Sequence, residues 1–158
     1  MTEIKCRAIT RCDSADILDW RNDLHTRNMS LTTDTISYDE HSEWFAKMLN
    51  DCSHIGFIGE INGEKIGAVF VKVDNKKAKI SINLNPAFRG KKFSTALLKI
   101  CINSTLILYP KIVYFIAEIK STNTASFKIF SKNGFKVSSD QGKYSTYTMQ
   151  TKKSGRES

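Results

Sequence analysis

NPAFRGKKFSTALL, residues 85–98, joins a strand-like alternation to a helix-like period. Before it, Ile80, Ile82 and Leu84 alternate with Lys79, Ser81 and Asn83, the period of a half-buried strand. After it, Phe93, Ala96, Leu97, Ile100 and Cys101 share one face of a 3.6-residue helix. The turn between them holds Pro86, Arg89, Gly90, Lys91 and Lys92. Such a strand-to-helix turn aims free backbone N–H groups and the positive helix end at one place, which suits a phosphate or pyrophosphate. An ordinary polar connection has the same composition, so this stretch needs a second one beside it.

That second stretch is IKSTNTASFKIFSKNGFKV, residues 119–137. Asn123, Ser126 and Phe130 are spaced three and four apart and share one helix face. Asn133-Gly134 supplies a stop, and Phe135 resumes an extended run. In this order and separation the two stretches resemble the GCN5-related N-acetyltransferase (GNAT) family. Its members carry an Arg/Gln-x-x-Gly-x-Gly/Ala turn for the coenzyme A pyrophosphate. An Asn-x-x-Ala/Ser-x-x-x-Tyr/Phe-x-x-x-Gly-Phe helix follows it.

The resemblance implies acetyl-CoA as co-substrate. Its pyrophosphate would lie over Arg89, Gly90, Lys91, Lys92, Phe93 and Ser94, and its arm would pair as an added strand with Ile82, Asn83 and Leu84. Asn123, Ser126 and Phe130 complete the coenzyme side, with coenzyme contact favoured over a plain helix cap for Asn123. The family turn would read Arg-Gly-Lys-Gly-x-Gly, whereas Lys92 and Ser94 stand at the later glycine positions. Lys92 keeps its N–H available if its φ is negative, and it adds charge where the backbone loses freedom.

Acetyl transfer needs a neutral amine, a polarised carbonyl and a stabilised leaving thiolate. In relatives such as the ribosomal-protein alanine acetyltransferases a Glu before the helix Asn is the base and a Tyr after it is the acid. The matching positions are Glu118 and Phe130. Glu118 is the only acid between Asp74 and Asp140 and sits at the end of an apolar strand. Desolvation there favours a base role, and pairing with Lys120 is the plainer alternative. Phe130 cannot be an acid, which leaves protonation of the departing thiolate by solvent, with Tyr144 and Tyr147 of the last strand as further candidates.

The N-terminal part looks like that of GNAT enzymes from bacterial surface-sugar pathways. These acetylate the 4-amino group of a nucleotide-linked amino-deoxy sugar on the way to nonulosonic acids such as pseudaminic acid. The resemblance implies that Trp20 or Trp44 stacks on a base or sugar and that Arg21 or Arg27 meets the diphosphate, with Asn22 and His41 beside them. Core packing is the competing role for both Trp and for His41. A ribosomal-protein-type or other small-amine acetyltransferase, and a coenzyme-binding domain without turnover, remain the alternatives.

Composition bounds these readings. The 158 residues fit one domain, expected over 3–150, with a frayed tail over 151–158. Neither a membrane-length apolar run nor a secretory leader is apparent, so the expected compartment is the cytoplasm with no membrane partner, and the resemblance implies a small-molecule amine as partner. Cys6, Cys12, Cys52 and Cys101 form no zinc spacing and read as free thiols, so no metal is expected. The net charge of +8 is uneven: residues 1–60 hold 6 Lys/Arg against 11 Asp/Glu, and residues 61–158 hold 18 against 5. The later lysines are scattered, without the runs or aromatic interleaving of a nucleic-acid module. Monomer and homodimer both fit.

The expected fold is α/β (α+β), a GNAT fold with a mixed, mostly antiparallel sheet of about seven strands and about four helices. Strands are expected at 3–9, 54–61, 66–73, 78–84, 112–117, 135–139 and 144–150. Helices are expected at 14–24, 38–51, 93–108 and 122–132, with a loop between the first two. Ser37 and Glu40 form a capping box, and Asn62-Gly63 is a hairpin signal. The 112–117 run, apolar on both alternations, reads as a strand covered on both faces.

Overall fold

A computed structural model of the chain describes residues 3–151. The strands are β1 (Lys5–Ala8), β2 (His54–Ile61), β3 (Glu64–Asp74), β4 (Lys77–Leu84), β5 (Tyr114–Lys120), β6 (Lys136–Asp140) and β7 (Tyr144–Gln150). The helices are α1 (Ser14–Asn22), α2 (Leu24–Asn28), α3 (Tyr38–Asn50), α4 (Ser94–Leu108) and α5 (Thr124–Lys132). The strands make one sheet in the order β1-β2-β3-β4-β5-β7-β6. This is the expected mixed sheet of a GNAT fold, with one helix more than expected.

The local signals explain most elements. Asn62 (φ 52°) and Gly63 (φ 80°) both take the left-handed conformation that a two-residue hairpin needs, and they return β2 into β3. Ser37 Oγ accepts the Glu40 N–H at 3.1 Å and starts α3. The extra helix follows from Asp23. Its extended backbone (φ −56°, ψ 133°) ends α1, and its carboxylate caps α2 by accepting the Thr26 N–H at 3.1 Å. The supposed loop after residue 24 is therefore partly helical.

Two cores sit on opposite faces of the sheet. Leu97, Leu98, Cys101 and Ile102 of α4 pack with Val69, Val71, Ile80 and Phe115 on one side. Ile17 and Trp20 of α1 and Phe45 and Met48 of α3 pack with Ile58, Ala68 and Phe70 on the other. The strands covered on both faces are thus β2 and β3, not the 112–117 run. In β5 only Phe115, Ala117 and Ile119 are buried, while Tyr114, Ile116, Glu118 and Lys120 lie on a partly open face. Glu118 and Lys120 of this face become part of the lining of a cleft. Thr151 is not frayed: it is buried, its N–H donates to Val113 O at 2.8 Å and its hydroxyl to Ile112 O at 3.2 Å. The remainder of the expected tail, 152–158, lies outside the described residues.

One pairing positions everything that follows. β4 and β5 are parallel neighbours, and they pair only over Lys77↔Tyr114, Ala78↔Phe115 and Lys79↔Ile116. Beyond Lys79, β4 stays bonded to β3 and β5 stays bonded to β7, but the two part from each other. The sheet opens there into a V.

Candidate active site

A cavity of about 610 Å³ fills the V and the space above it. Ile82, Asn83, Leu84, Arg89, Glu118, Asn123, Ser126 and Phe130 line it, so eight of the proposed residues from both sequence stretches meet in one place. Along Ile82–Leu84 the β3 side of the strand is paired, through Val69↔Ile82, Ala68↔Asn83 and Gly67↔Leu84. The opposite edge faces the gap, where an amide-bearing arm can add as a strand. Asn83 Oδ1 is buried without a hydrogen-bond partner, and its Nδ2 reaches only Ile17 O at 3.4 Å.

Gly90, Lys91, Lys92, Phe93 and Ser94 follow Arg89 out of the cavity and are not part of its lining. They form the turn that starts α4, whose first internal bond is Leu97 N–H to Phe93 O at 3.0 Å. The N–H groups of Ser94, Thr95 and Ala96 thus form the open first turn of a 15-residue helix, with its positive dipole end outward. Lys92 has φ 66°, so the condition of a negative φ is not met. It adopts the left-handed conformation that a glycine at this family position takes freely. The open edge at 82–84 could hold an amide-bearing arm, and the cationic turn at 89–94 before the helix terminus could hold a pyrophosphate.

Other expectations change. Asn123 is a cap: Oδ1 accepts the Ser126 N–H at 3.0 Å, and Nδ2 donates to Met29 O at 3.2 Å. Its amide thus ties α5 to the chain after α2, the capping role set against coenzyme contact, and the residue also lines the cavity. Phe130 is core, edge-on to Phe135 at 5.0 Å. Tyr144 and Tyr147 do not line the cavity. Glu118 lies within β5, not at its end, and its partner is the Lys79 ammonium, not Lys120. Lys120 instead donates to Asn28 O at 2.7 Å.

The residues proposed for the acceptor, from α1, α2 and α3, divide. Trp20 is 6% exposed and belongs to the core with Ile17 and Phe45, so it cannot stack on a ligand. Asn22 clips the chain at Ile36, donating to its O at 2.8 Å and accepting from its N–H at 2.7 Å. Arg27 donates to Asn22 O and Thr33 O. Both therefore brace the loop and stay out of the cavity lining. His41 is buried, with Nε2 donating to Ser14 O at 3.0 Å and Nδ1 accepting from Arg21 Nη1 at 3.3 Å. With both ring nitrogens engaged it is no base, and burial followed by the Arg21 charge lowers its pKa.

Arg21 does line the cavity. Its guanidinium lies 4.8 Å from the centroid of the Trp44 ring, and burial lowers its pKa. Among the described residues it has no carboxylate partner. Trp44 packs edge-on to Phe70 at 5.2 Å and to His54 at 6.3 Å, and these three share the wall with Lys72. Arg89 is tied to Asp23 at 2.5 Å. The Thr26 N–H, against some burial and with Arg89, holds the Asp23 carboxyl below its ordinary range.

Lys79, His54 and Lys72 were missed in the sequence. The available signal for Lys79 was its place on the polar alternation of β4 with Ser81 and Asn83. Among the described residues no cluster of His, Cys, Asp or Glu comes together to hold a metal, and no helix is long and apolar enough to cross a membrane.

Comparison with known proteins defines the class. The acetyltransferase (GNAT) domain model matches residues 4–136, and the chain belongs to the GNAT acetyltransferase family. The activity class that goes with membership is acetyl-CoA-dependent N-acetyl transfer. No curated protein sequence matches this one. Among solved structures, a domain from Methanocaldococcus jannaschii DSM 2661 is 19% identical with TM-score 0.83, over 96% of this chain and 100% of that one. Spermidine N-acetyltransferase from Vibrio cholerae, solved with CoA and spermine, is 18% identical with TM-score 0.80 over 94% of each chain. An aminoglycoside acetyltransferase solved with coenzyme A and kanamycin is 19% identical with TM-score 0.78, over 99% of this chain and all of that one. At these identities the likeness is one of fold.

Proposed function

We propose that this protein moves the acetyl group of acetyl-CoA to the primary amine of an anionic small molecule, the 4-amino group of a nucleotide-linked amino-deoxy sugar. The observation that carries the acceptor is Arg21: a half-buried guanidinium with no carboxylate partner, laid on Trp44 in the same cavity as Glu118. A desolvated cation of this kind is stabilised by an anion brought with the substrate, and the indole beside it offers a face to a base or sugar.

The acceptors named for the solved relatives, spermine and kanamycin, are polycations. The cavity here is lined by Arg21, Lys72, Lys79, Arg89 and Lys120 against only Asp34 and Glu118. Part of that charge serves the coenzyme phosphates. The remainder repels a polyamine and attracts a diphosphate.

The bound coenzyme supplies an activated acyl carbonyl. Glu118 takes the proton of the attacking amine, directly or through a water, while Ile82–Leu84 and the α4 turn hold the donor in place. The cytoplasm is the compartment this substrate class implies.

Thiol release from acetyl-CoA, measured with a nucleotide-linked 4-amino sugar, spermidine, kanamycin and an alanine-terminated peptide, tests the reading. The amino sugar is expected to have the highest kcat/KM. Glu118→Gln should lower its kcat by about 10²–10⁴-fold while acetyl-CoA still binds. A polyamine or peptide that outcompetes the sugar refutes the anionic acceptor. Tight acetyl-CoA binding without turnover of any amine marks a silent coenzyme-binding domain.

A further inference from the structure

The family's acid position is occupied by Phe130, whose ring has no proton to give and is buried against Phe135. The proton for the departing sulfur then comes from solvent or from another group lining the cavity. Four of its five cations are engaged with groups away from the base. Arg21 rests on Trp44, Arg89 on Asp23, Lys72 on Asp51 and Lys120 on Asn28 O. Lys79 is paired with Glu118 itself. It is also the last β4 residue in register with β5, so it stands at the apex of the V where the coenzyme arm must end. Its side chain is 60% exposed toward this opening, and only 26% of the Glu118 side chain is exposed beside it.

We propose that Lys79 is a catalytic residue, the proton donor to the coenzyme sulfur, acting as one unit with Glu118. As the amine nitrogen forms its bond to the acetyl carbon, Glu118 takes one amine proton. The carbon–sulfur bond breaks with its electron pair on sulfur, and Lys79 Nζ gives a proton to that sulfur. Glu118, now a carboxylic acid, returns its proton to the neutral Lys79 amine across their contact. The pair ends as it began, and the products are the N-acetyl amide and the free thiol.

The energetics favour coupling. An alkyl ammonium is by itself a weaker acid than a thiol, whereas a carboxylic acid readily gives its proton to a neutral alkyl amine, so the two transfers run forward only when joined. The proposal rests on the acetyl-transfer reading and on Glu118 as base.

Lys79→Met and Lys79→Arg, compared with the unaltered protein, test it through two readouts. The first is kcat and KM for acetyl-CoA with the best acceptor. The second needs no turnover: ionisation of the bound coenzyme A thiol, followed by ultraviolet thiolate absorbance against pH. Lys79→Met is expected to lower kcat by about 10²-fold or more, to leave acetyl-CoA affinity within about threefold, and to move thiol ionisation to higher pH. Lys79→Arg keeps the charge, so thiol ionisation should stay near that of the unaltered protein. Its kcat should remain as low as that of Lys79→Met, because a guanidinium does not release its proton. Full kcat in either variant overturns the proposal, as does unchanged thiol ionisation in Lys79→Met. If the unaltered protein acetylates nothing, the acetyl-transfer reading fails by itself, and the ionisation readout still decides whether Lys79 faces the sulfur.

Discussion

Replacing Lys92 by glycine restores the family turn and puts a number on its departure. At φ 66° a residue with a Cβ sits in the left-handed region at a cost of about 1–2 kcal/mol. Glycine removes that cost but loses about 0.5–1 kcal/mol through the greater freedom of the unfolded chain. The net expectation is a gain of about 1 kcal/mol, or about 2–4 °C in Tm for a domain of this size. Lys92→Ala is the control, since it removes the charge and keeps the Cβ. Its Tm should stay near that of the unaltered protein, so the difference between Gly and Ala isolates the backbone term. Thermal melts without ligand measure stability, and titration calorimetry with acetyl-CoA measures binding. Gly should bind at least as tightly as Ala, because the freed backbone approaches the pyrophosphate more closely. If the two variants melt at the same temperature, the strain argument is wrong. If Gly alone loses acetyl-CoA, the turn does not hold the pyrophosphate as described.

Two further predictions concern pH and the acceptor side. Burial pushes the Asp13 carboxyl up, but Arg7 at 2.8 Å, Lys65 at 2.9 Å and the Thr10 N–H outweigh it and hold it well below the usual carboxylate range. Its folded pKa is depressed, so its contribution is present above about pH 4 and is lost as pH falls further. Asp13→Asn should cost about 2–3 kcal/mol in urea unfolding at pH 7, less than a fully buried pair because Arg7 keeps Glu60 and both cations reach solvent. The loss should vanish in acid, and an equal loss at all pH values counts against the ion cluster. His41 also has a lowered pKa, so the unfolded state binds its proton first and stability should fall as pH drops below about 6.5. A proton on Nδ1 also opposes Arg21, so the same acidification should raise the acceptor KM more than the acetyl-CoA KM. Equal changes in the two would show that Arg21 does not face the acceptor.

The elements that bring β4 and α5 residues to the cavity were legible because their information is local. Alternation, turn and helix period in residues 80–101, and the helix of Asn123 to Phe130, each specify one element and one end of it. The Asn62-Gly63 turn and the Ser37 cap were equally readable for that reason. The acceptor side was not, because a residue such as Trp20 carries the same pattern whether it packs inward or outward. Only the placement of α1 and α3 on the sheet made Trp20 core, Trp44 cavity wall and Arg21 a cation that, among the described residues, has no carboxylate partner.

Asp23 shows the boundary. Its capping of Thr26 is a three-residue interaction that the sequence contains, whereas its ion pair with Arg89 joins residues 66 apart. The pairing of Glu118 with Lys79 in place of Lys120 has the same origin. Residues two apart on β5 are neighbours on one face, but the β4 strand laid beside them brings a nearer charge. By itself the sequence determined the elements, the turn that opens α4 and the family. The tertiary structure decided which side chains face the gap between β4 and β5, because that gap exists only where two distant strands stop pairing.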